Sequence, residues 1–573
     1  NAVSNKLIDS IAVEEHPNDM ALNKSGTWLY VANSSSNSVS VINTTTRKVA
    51  ETLNAALYPD ALIGSTTNAV ALSEDDKTLY VANADNNSVA VFDVARPGNS
   101  ASKGFIPTGW YPTGVKVVGQ KLLVLNGKGM SSFPKTRAKS VSMKGSLSII
   151  NLPSATELNQ YSKQVYQNTP YTLNKEENPE GQMGNPIPSK PGDKTPIKYV
   201  FYVIKENVTY DAILGDMPQG NGDSSFCLFG RKITPNAHSI SEQFTLFDNF
   251  YVEGEVSVDG HHWLTAAYAS DYVEKSWPYD YSGRGSGHVF DGNDSIANPP
   301  KGFIWDYAQR AGVSFRNYGQ FMWSDGGYGL GPGILKDPKN YCSGYPGWNM
   351  AIQDVYRQKI WEKDFDSLLN INAVPQLNIV YFPQDHTSGQ EPGAYTPTAC
   401  MADNDLALGR LVERISKSSI WPETAIFVLE DDPGGRWDHV DLHRSVAYVI
   451  SPYTRRNNVD HTMYSISSML RTIELILGLP PMSQYDAAAT PMWRSFTSKP
   501  DLRPYTALLP ETDINARNKE NNKSAKLSAA FNLSKPDAVD PAVMGSVIWK
   551  SVKGEDSEMP APKRAAFIKY TED

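Results

Sequence analysis

Leu29-Tyr30-Val31-Ala32-Asn33 returns fifty residues later as Leu79-Tyr80-Val81-Ala82-Asn83, and the strand that follows, Asn37-Ser38-Val39-Ser40-Val41, returns at the same offset as Asn87-Ser88-Val89-Ala90-Val91. A looser third copy reads Leu122-Leu123-Val124-Leu125-Asn126 and, after a polar insertion, Ser146-Leu147-Ser148-Ile149-Ile150. A short partner strand precedes each copy: Met20-Ala21-Leu22, Val70-Ala71-Leu72 and Val115-Lys116-Val117. Alternating apolar strands separated by Asn, Ser and Gly turns, at a period of about 40 to 50 residues, are the blades of a β-propeller. Residues 1–165 supply about three blades and a candidate outer strand from Lys6 to Val13. A closed ring has roughly four to eight blades, so the expectation is a partial propeller completed by blades upstream or on another chain.

The grammar then changes. Residues 166–197 carry six prolines and little apolar periodicity, which predicts a linker. From residue 198 to 500, runs of β-branched and aromatic residues (Lys198 to Ile204, Leu377 to Phe382, Thr424 to Leu429, Ser445 to Ile450) alternate with helical spacing, as in 403–417 and 462–477. Continuous apolar strands alternating with helices predict an α/β domain with a buried, mostly parallel sheet. Residues 501–573 read as a polar C-terminal extension with one apolar stretch, Val543 to Val552.

Composition excludes several classes. The 573 residues hold 53 Lys+Arg against 62 Asp+Glu, a net charge of −9 with no basic stripe, so no nucleic-acid-binding surface is expected. With 40% apolar and 20% charged residues the chain is no disordered polymer. Three cysteines, Cys227, Cys342 and Cys400, lack the close spacing of a zinc knuckle. No run is long and apolar enough for a transmembrane segment.

Chemistry gathers where the strands end. The first apolar run ends in Lys205-Glu206-Asn207, the second in Pro383-Gln384-Asp385-His386 and the third in Glu430-Asp431-Asp432. Ligands of open α/β sheets bind outside the carboxyl ends of the strands, so these clusters are expected to face one crevice. Such a concentration of carboxylates calls for a divalent metal ion, with Mg, Ca or Mn suited to oxygen ligands and Zn or Fe if an imidazole joins. Strand alternation turns Glu430 away from the crevice. Eight of the nine histidines follow residue 200. His261, His262, His386 and His439 lie among glycines and acids and are functional candidates, with His443 a candidate supporting residue. His16, His238, His288 and His461 are read as structural. Neither a Walker loop nor a GxSxG elbow occurs, which leaves metal-assisted hydrolysis of a phosphate ester as the best fit.

Four motifs occur in order: 205–211 (KENVTYD), 254–261 (GEVSVDGH), 385–389 (DHTSG) and 430–440 (EDDPGGRWDHV). They resemble the phosphoesterase family of bacterial phospholipases C and acid phosphatases, within the alkaline phosphatase superfamily. The repeats resemble the YVTN type of propeller repeat, and the stretch from Ser468 to Met482 is similar to the branch in which this domain follows such repeats. The resemblance implies a metal site of Glu206, Asn207, Asp431 and Asp432, with Asn207, His261 and His386 binding phosphate and His261, His386 and His439 as catalytic imidazoles. It places the hydroxyl nucleophile after His261 and before Trp263, where this chain has His262. Three readings stay open there: His262 attacks phosphorus, His262 assists an attacking water, or the site binds without turnover. The function expected is an exported, metal-dependent phosphoesterase, periplasmic, cell-surface or secreted. Its substrates would be phosphate mono- or diesters, small or carrying a lipid head group, with a protein or envelope partner for the propeller. The alternative is a non-catalytic envelope interaction protein.

Overall fold

The computed structural model describes residues 4–130, 144–281, 295–322, 335, 337–435, 438–519, 521–533 and 539–560. Each close copy of the repeat folds into four antiparallel strands in sequential order. The first sheet is β1 (Pro17–Leu22), β2 (Trp28–Asn33), β3 (Ser38–Asn43) and β4 (Lys48–Asn54), and the second is β5 (Thr67–Leu72), β6 (Thr78–Asn83), β7 (Ser88–Asp93) and β8 (Ala101–Pro107). A third has β9 (Trp110–Val118), β10 (Lys121–Gly129) and β11 (Ser146–Asn151). Strand alternation sends successive side chains to opposite faces. Tyr30, Val39 and Val41 therefore pack on Leu79, Val81 and Phe92 of the next blade, and Tyr80, Val89 and Val91 on Leu122 and Val124 of the third. In the first and third copies the repeated asparagine bonds the strand that follows it, whereas Asn83 of the second donates to Ala55 O. Asn33 Nδ2 donates to Ser38 and Ser40 hydroxyls at 3.1 and 3.0 Å, and Asn126 Nδ2 donates to Ser146 and Ser148 at 3.1 and 2.9 Å.

The helix Ala155–Asn168, capped by Ser154 and Glu157, buries Leu158 and Val165 against the blades, so the segment read as a linker starts inside a helix. A short helix, Leu173–Glu177, follows.

The second region contains β12 (Tyr199–Lys205), the short β13 (Thr245–Phe247) and β14 (Phe250–Tyr251), β15 (Phe315–Tyr318), β16 (Leu377–Phe382), β17 (Thr424–Glu430), β18 (Ala447–Ile450), β19 (Asn458–Asp460) and β20 (Tyr464–Ser465). The main sheet runs β15-β16-β12-β17-β18, parallel except for β18. Its apolar strands are buried because helices cover both faces. Phe201 and Val203 meet Trp361, Phe365, Leu408 and Leu411 on one side. Val200, Tyr202 and Ile204 meet Leu264, Ile466 and Met469 on the other. The C-terminal helix Pro541–Lys553 adds Met544, Ile548 and Trp549 to the first face.

Lys205 pairs in register with Phe382 and with Glu430, so β12 ends level with both neighbours. Its buried ammonium lies 2.8 Å from Asp385 Oδ2 and 2.7 Å from Glu430 Oε1. Burial alone lowers a lysine pKa, but the two carboxylates reverse this and raise it, so the charge is kept. The propeller docks directly on this domain: Asn68 and Tyr111 donate to Asp271 Oδ1 at 3.1 and 2.9 Å, and Asn86 donates to Gln484 Oε1 at 3.2 Å.

Removing the buried cation while leaving both acids is costly. Lys205→Met is expected to lower unfolding stability by about 3 to 5 kcal/mol, read as a drop in denaturant midpoint at unchanged slope.

Candidate active site

The acids at the strand ends divide by strand alternation. Lys205, Asp385 and Glu430 form the buried clamp, whereas Glu206, Asn207, Asp431 and Asp432 gather beside the first turn of the helix Ser257–Ala266. Asn207 N donates to Asp431 Oδ1 at 3.2 Å and its Nδ2 to Asp432 Oδ2 at 2.7 Å. Asn207 has φ of 26°, a left-handed conformation that asparagine tolerates better than most residues. The backbone of Asp431 lies against the helix because residue 260 is glycine, where a Cβ would stand 2.6 Å from Asp431 O.

His261 is fully buried. Its Nε2 lies 3.1 Å from Glu206 Oε1 and 3.6 Å from Asp431 Oδ2, while Gln320 Nε2 lies 2.9 Å from Nδ1. The Tyr381 hydroxyl donates to Glu206 Oε1, and burial together with that carboxylate holds the phenol pKa far above its usual value. Ser257, the first residue of the helix, donates from Oγ to Asp432 Oδ2 at 3.0 Å and to Glu206 Oε2 at 3.2 Å.

The donor set fits a divalent cation. Glu206, His261 and Asp431 each offer one ligand atom, all within 4.8 Å of one another and all buried. Crowded carboxylates in a dry interior favour a cation. The buried Gln320 Oε1 has no hydrogen-bond partner among the described residues. Turning the Gln320 amide over presents its Oε1 to His261 Nδ1–H and leaves His261 Nε2 for a metal, the usual support of a ligating imidazole.

The other expected residues are placed differently. His262 is turned from the cluster: Nδ1 is 2.7 Å from Val258 O, and the ring packs at 6.0 Å from both Phe303 and Phe321. No contact among the described residues joins it to Glu206 or Asp431. Its pKa falls to about 4 through burial, so the imidazole is neutral. The cause is helical geometry, since adjacent residues point about 100° apart and His261 already faces the acids. His386 follows Asp385, which accepts from Glu206 N at 3.1 Å; its Nδ1 lies 2.9 Å from Thr387 O and its ring stands edge-on to Trp348. His439 belongs to a second group, with Nδ1 2.7 Å from Asp211 Oδ2 and Arg444 joining Asp211 and Asp438. His443 bridges Glu255 and Asp441 at 2.9 Å each. Burial lowers its pKa but these acids outweigh burial and raise it well above the usual value.

His16, His238 and His461 lie on Ser35, Asp216 and Asp248, respectively. His288, Arg436 and Trp437 lie outside the described residues.

Sequence reasoning missed Ser257, Lys205, Gln320 and Tyr381. Ser257 had a signal: it lies inside the motif 254–261, three residues after Gly254, where a helix begins.

Residues 219–480 match the Phosphoesterase family and residues 17–130 match the lactonase, 7-bladed β-propeller family, so the phosphoesterase resemblance is met and the first region is matched as a β-propeller. The phosphoesterase match supports a hydrolase of phosphoric ester bonds. No curated protein matches the chain. Among solved structures, an alkaline phosphatase superfamily protein from Vibrio parahaemolyticus is 18% identical, covering 52% of this chain and 71% of its own, with a TM-score of 0.36. Hydrazine synthase from Kuenenia stuttgartiensis is 23% identical over 24% of this chain, with a TM-score of 0.18; the match spans 32% of that protein's length. A putative 6-phosphogluconolactonase from Bacteroides fragilis is 26% identical over 19% of this chain and 31% of its own, with a TM-score of 0.17.

His443 gives a pH signature. Its folded pKa is raised, so its stabilisation is fully present below the unfolded value of about 6.5 and is lost as pH rises through the folded value. The melting-temperature gap between wild type and His443→Gln is expected to be widest near that lower pH and to narrow as pH rises further.

Proposed function

From the match of residues 219–480 to the Phosphoesterase family, we propose a metal-dependent phosphoesterase whose nucleophile is the Ser257 hydroxyl. One observation carries this reading: Ser257 Oγ, at a helix N-terminus, donates to both Glu206 and Asp432 within the metal-fitting cluster. Tyr381 also reaches Glu206, but its raised pKa keeps the phenol protonated as a donor. Ser257 thus takes the role that motif position alone assigns to His262, and the non-catalytic alternative loses the premise it rested on.

Glu206, Asp431 and Asp432, with His261 and Asn207, would hold the cation. When bound, it supplies Lewis-acid polarisation and charge neutralisation at a phosphoryl oxygen. An imidazole among carboxylates favours Fe or Zn over Mg, Ca or Mn.

The residues divide the work. Asp432 or Glu206 takes the hydroxyl proton as Ser257 Oγ bonds to phosphorus and the ester P–O bond breaks. Backbone N–H groups of the helix's first turn favour the phosphoryl anion. His386 and His439 are the imidazoles in reserve to protonate the departing oxygen, with Asp211 holding the His439 ring. Water then cleaves the Oγ–P bond and restores the serine.

The substrate is a phosphate mono- or diester, small or lipid-borne. We place the protein in the envelope or outside the cell, on the strength of the family resemblance. Further blades are expected to complete the ring. On the third blade Leu125, Leu147 and Ile149 are more than half exposed at the positions where Ala82, Val89 and Val91 of the second blade are buried.

Metal-stripped protein, assayed on a chromogenic monoester and the matching diester with single metals returned, tests the proposal. Ser257→Ala is expected to lower kcat on the order of 10³-fold or more while still binding metal. Asp431→Asn is expected to lose metal binding, and His262→Gln to keep metal-dependent turnover. Full turnover in Ser257→Ala with loss in His262→Gln would reverse the assignment.

A further inference from the structure

The three blades present the same position to the catalytic domain, two residues beyond the strand-end asparagine: Ser35 after Asn33, Asp85 after Asn83 and Lys128 after Asn126. Ser35 Oγ lies 3.4 Å from Tyr268 Oη, and Asp85 meets Tyr485. Lys128 makes an ion pair. Its ammonium lies 2.8 Å from the buried Glu274 Oε2, on the helix Asp271–Tyr281, and 5.1 Å from the Tyr111 ring centroid.

Glu274 does not face Lys128 alone. Glu255 and Asp259 also bear on the ammonium, and Asp259 is fully buried. The Asp259 carboxylate ties down the backbone ahead of it. Its Oδ1 accepts from Val256 N at 2.9 Å and Oδ2 from Glu255 N at 3.0 Å, closing the turn immediately before Ser257. His443 in turn holds the Glu255 side chain. Two buried carboxylates, Glu274 and Asp259, therefore stand behind the nucleophile's turn, and the propeller brings the cation between the domains. Burial and the neighbouring Glu274 push the Asp259 carboxyl well above its usual pKa and Lys128 opposes them, so the lysine is what lets the two acids stand side by side in a poorly screened interior.

We infer that Lys128 is a positioning residue for the phosphoester reaction. By balancing Glu274 and Asp259 it fixes the turn that aims Ser257, which makes the propeller a working part of the catalytic site and not a tether. This inference rests on the reading of Ser257 as nucleophile.

The test compares full-length wild type, Lys128→Met, Lys128→Arg, and Lys128→Met combined with Glu274→Gln, by hydrogen exchange and by steady-state turnover. In Lys128→Met the amides of Glu255 and Val256 are expected to exchange about tenfold faster. Its kcat is expected to fall about 10- to 100-fold with KM little changed. Lys128→Arg is expected to keep both properties. Adding Glu274→Gln is expected to restore them, because it removes the repelling charge without refilling the space of the lysine stem. Wild-type exchange and kcat in Lys128→Met would overturn the inference, as would a double variant no better than the single. Should Lys128→Met not fold, a folded, active double variant supports the charge role, and failure of both variants to fold overturns it. Ser257→Ala separates the two claims: wild-type turnover there ends the nucleophile reading, while the exchange data still decide whether Lys128 holds the turn.

Discussion

The catalytic region depends on one buried ion cluster, the Lys205 ammonium held between Asp385 and Glu430. It ties the ends of three parallel strands, β16, β12 and β17, at one level. Because side chains alternate along a strand, committing Lys205 and Glu430 to the clamp sends their successors, Glu206 and Asp431, to the other side. The site is thus a consequence of register: a one-residue slip of β17 would exchange the roles of Glu430 and Asp431.

The same economy governs the approach of the helix Ser257–Ala266. Gly260 lets the helix touch the backbone of Asp431, which places Ser257 and His261 against the acids in the same step. His262, one residue further round, is left in an aromatic environment. The turn before Ser257 is then held by His443 on Glu255 and by Asp259, while the propeller's Lys128 pairs with the nearby Glu274. Both domains therefore bear on a single hydroxyl.

Much of this was legible in the sequence. The duplicated Leu-Tyr-Val-Ala-Asn revealed the blades because each copy repeats the same alternation and the same buried asparagine. The apolar runs revealed the sheet because strands covered on both faces lack polar alternation. Acids at three strand ends pointed to the crevice, where Glu206, Asn207, Asp431 and Asp432 do gather. What stayed hidden depends on direction in space. Sequence order put His262 beside His261, but only helical phase shows that the two point apart. Ser257 was passed over because it precedes the histidine, although one helical turn brings both to the Glu206 carboxylate. Lys205 looked like a strand-end charge, and its role appears only when β16 and β17 are laid alongside.

The central claim is that the phosphoryl group passes through Ser257. The most direct measurement is to mix metal-loaded enzyme with a fast-leaving phosphate ester, denature it at neutral pH during turnover so that both phosphoserine and phosphohistidine survive, and map the modified peptide by mass spectrometry. The account predicts phosphate on Ser257; phosphate on His262, with Ser257 unmodified, would contradict it.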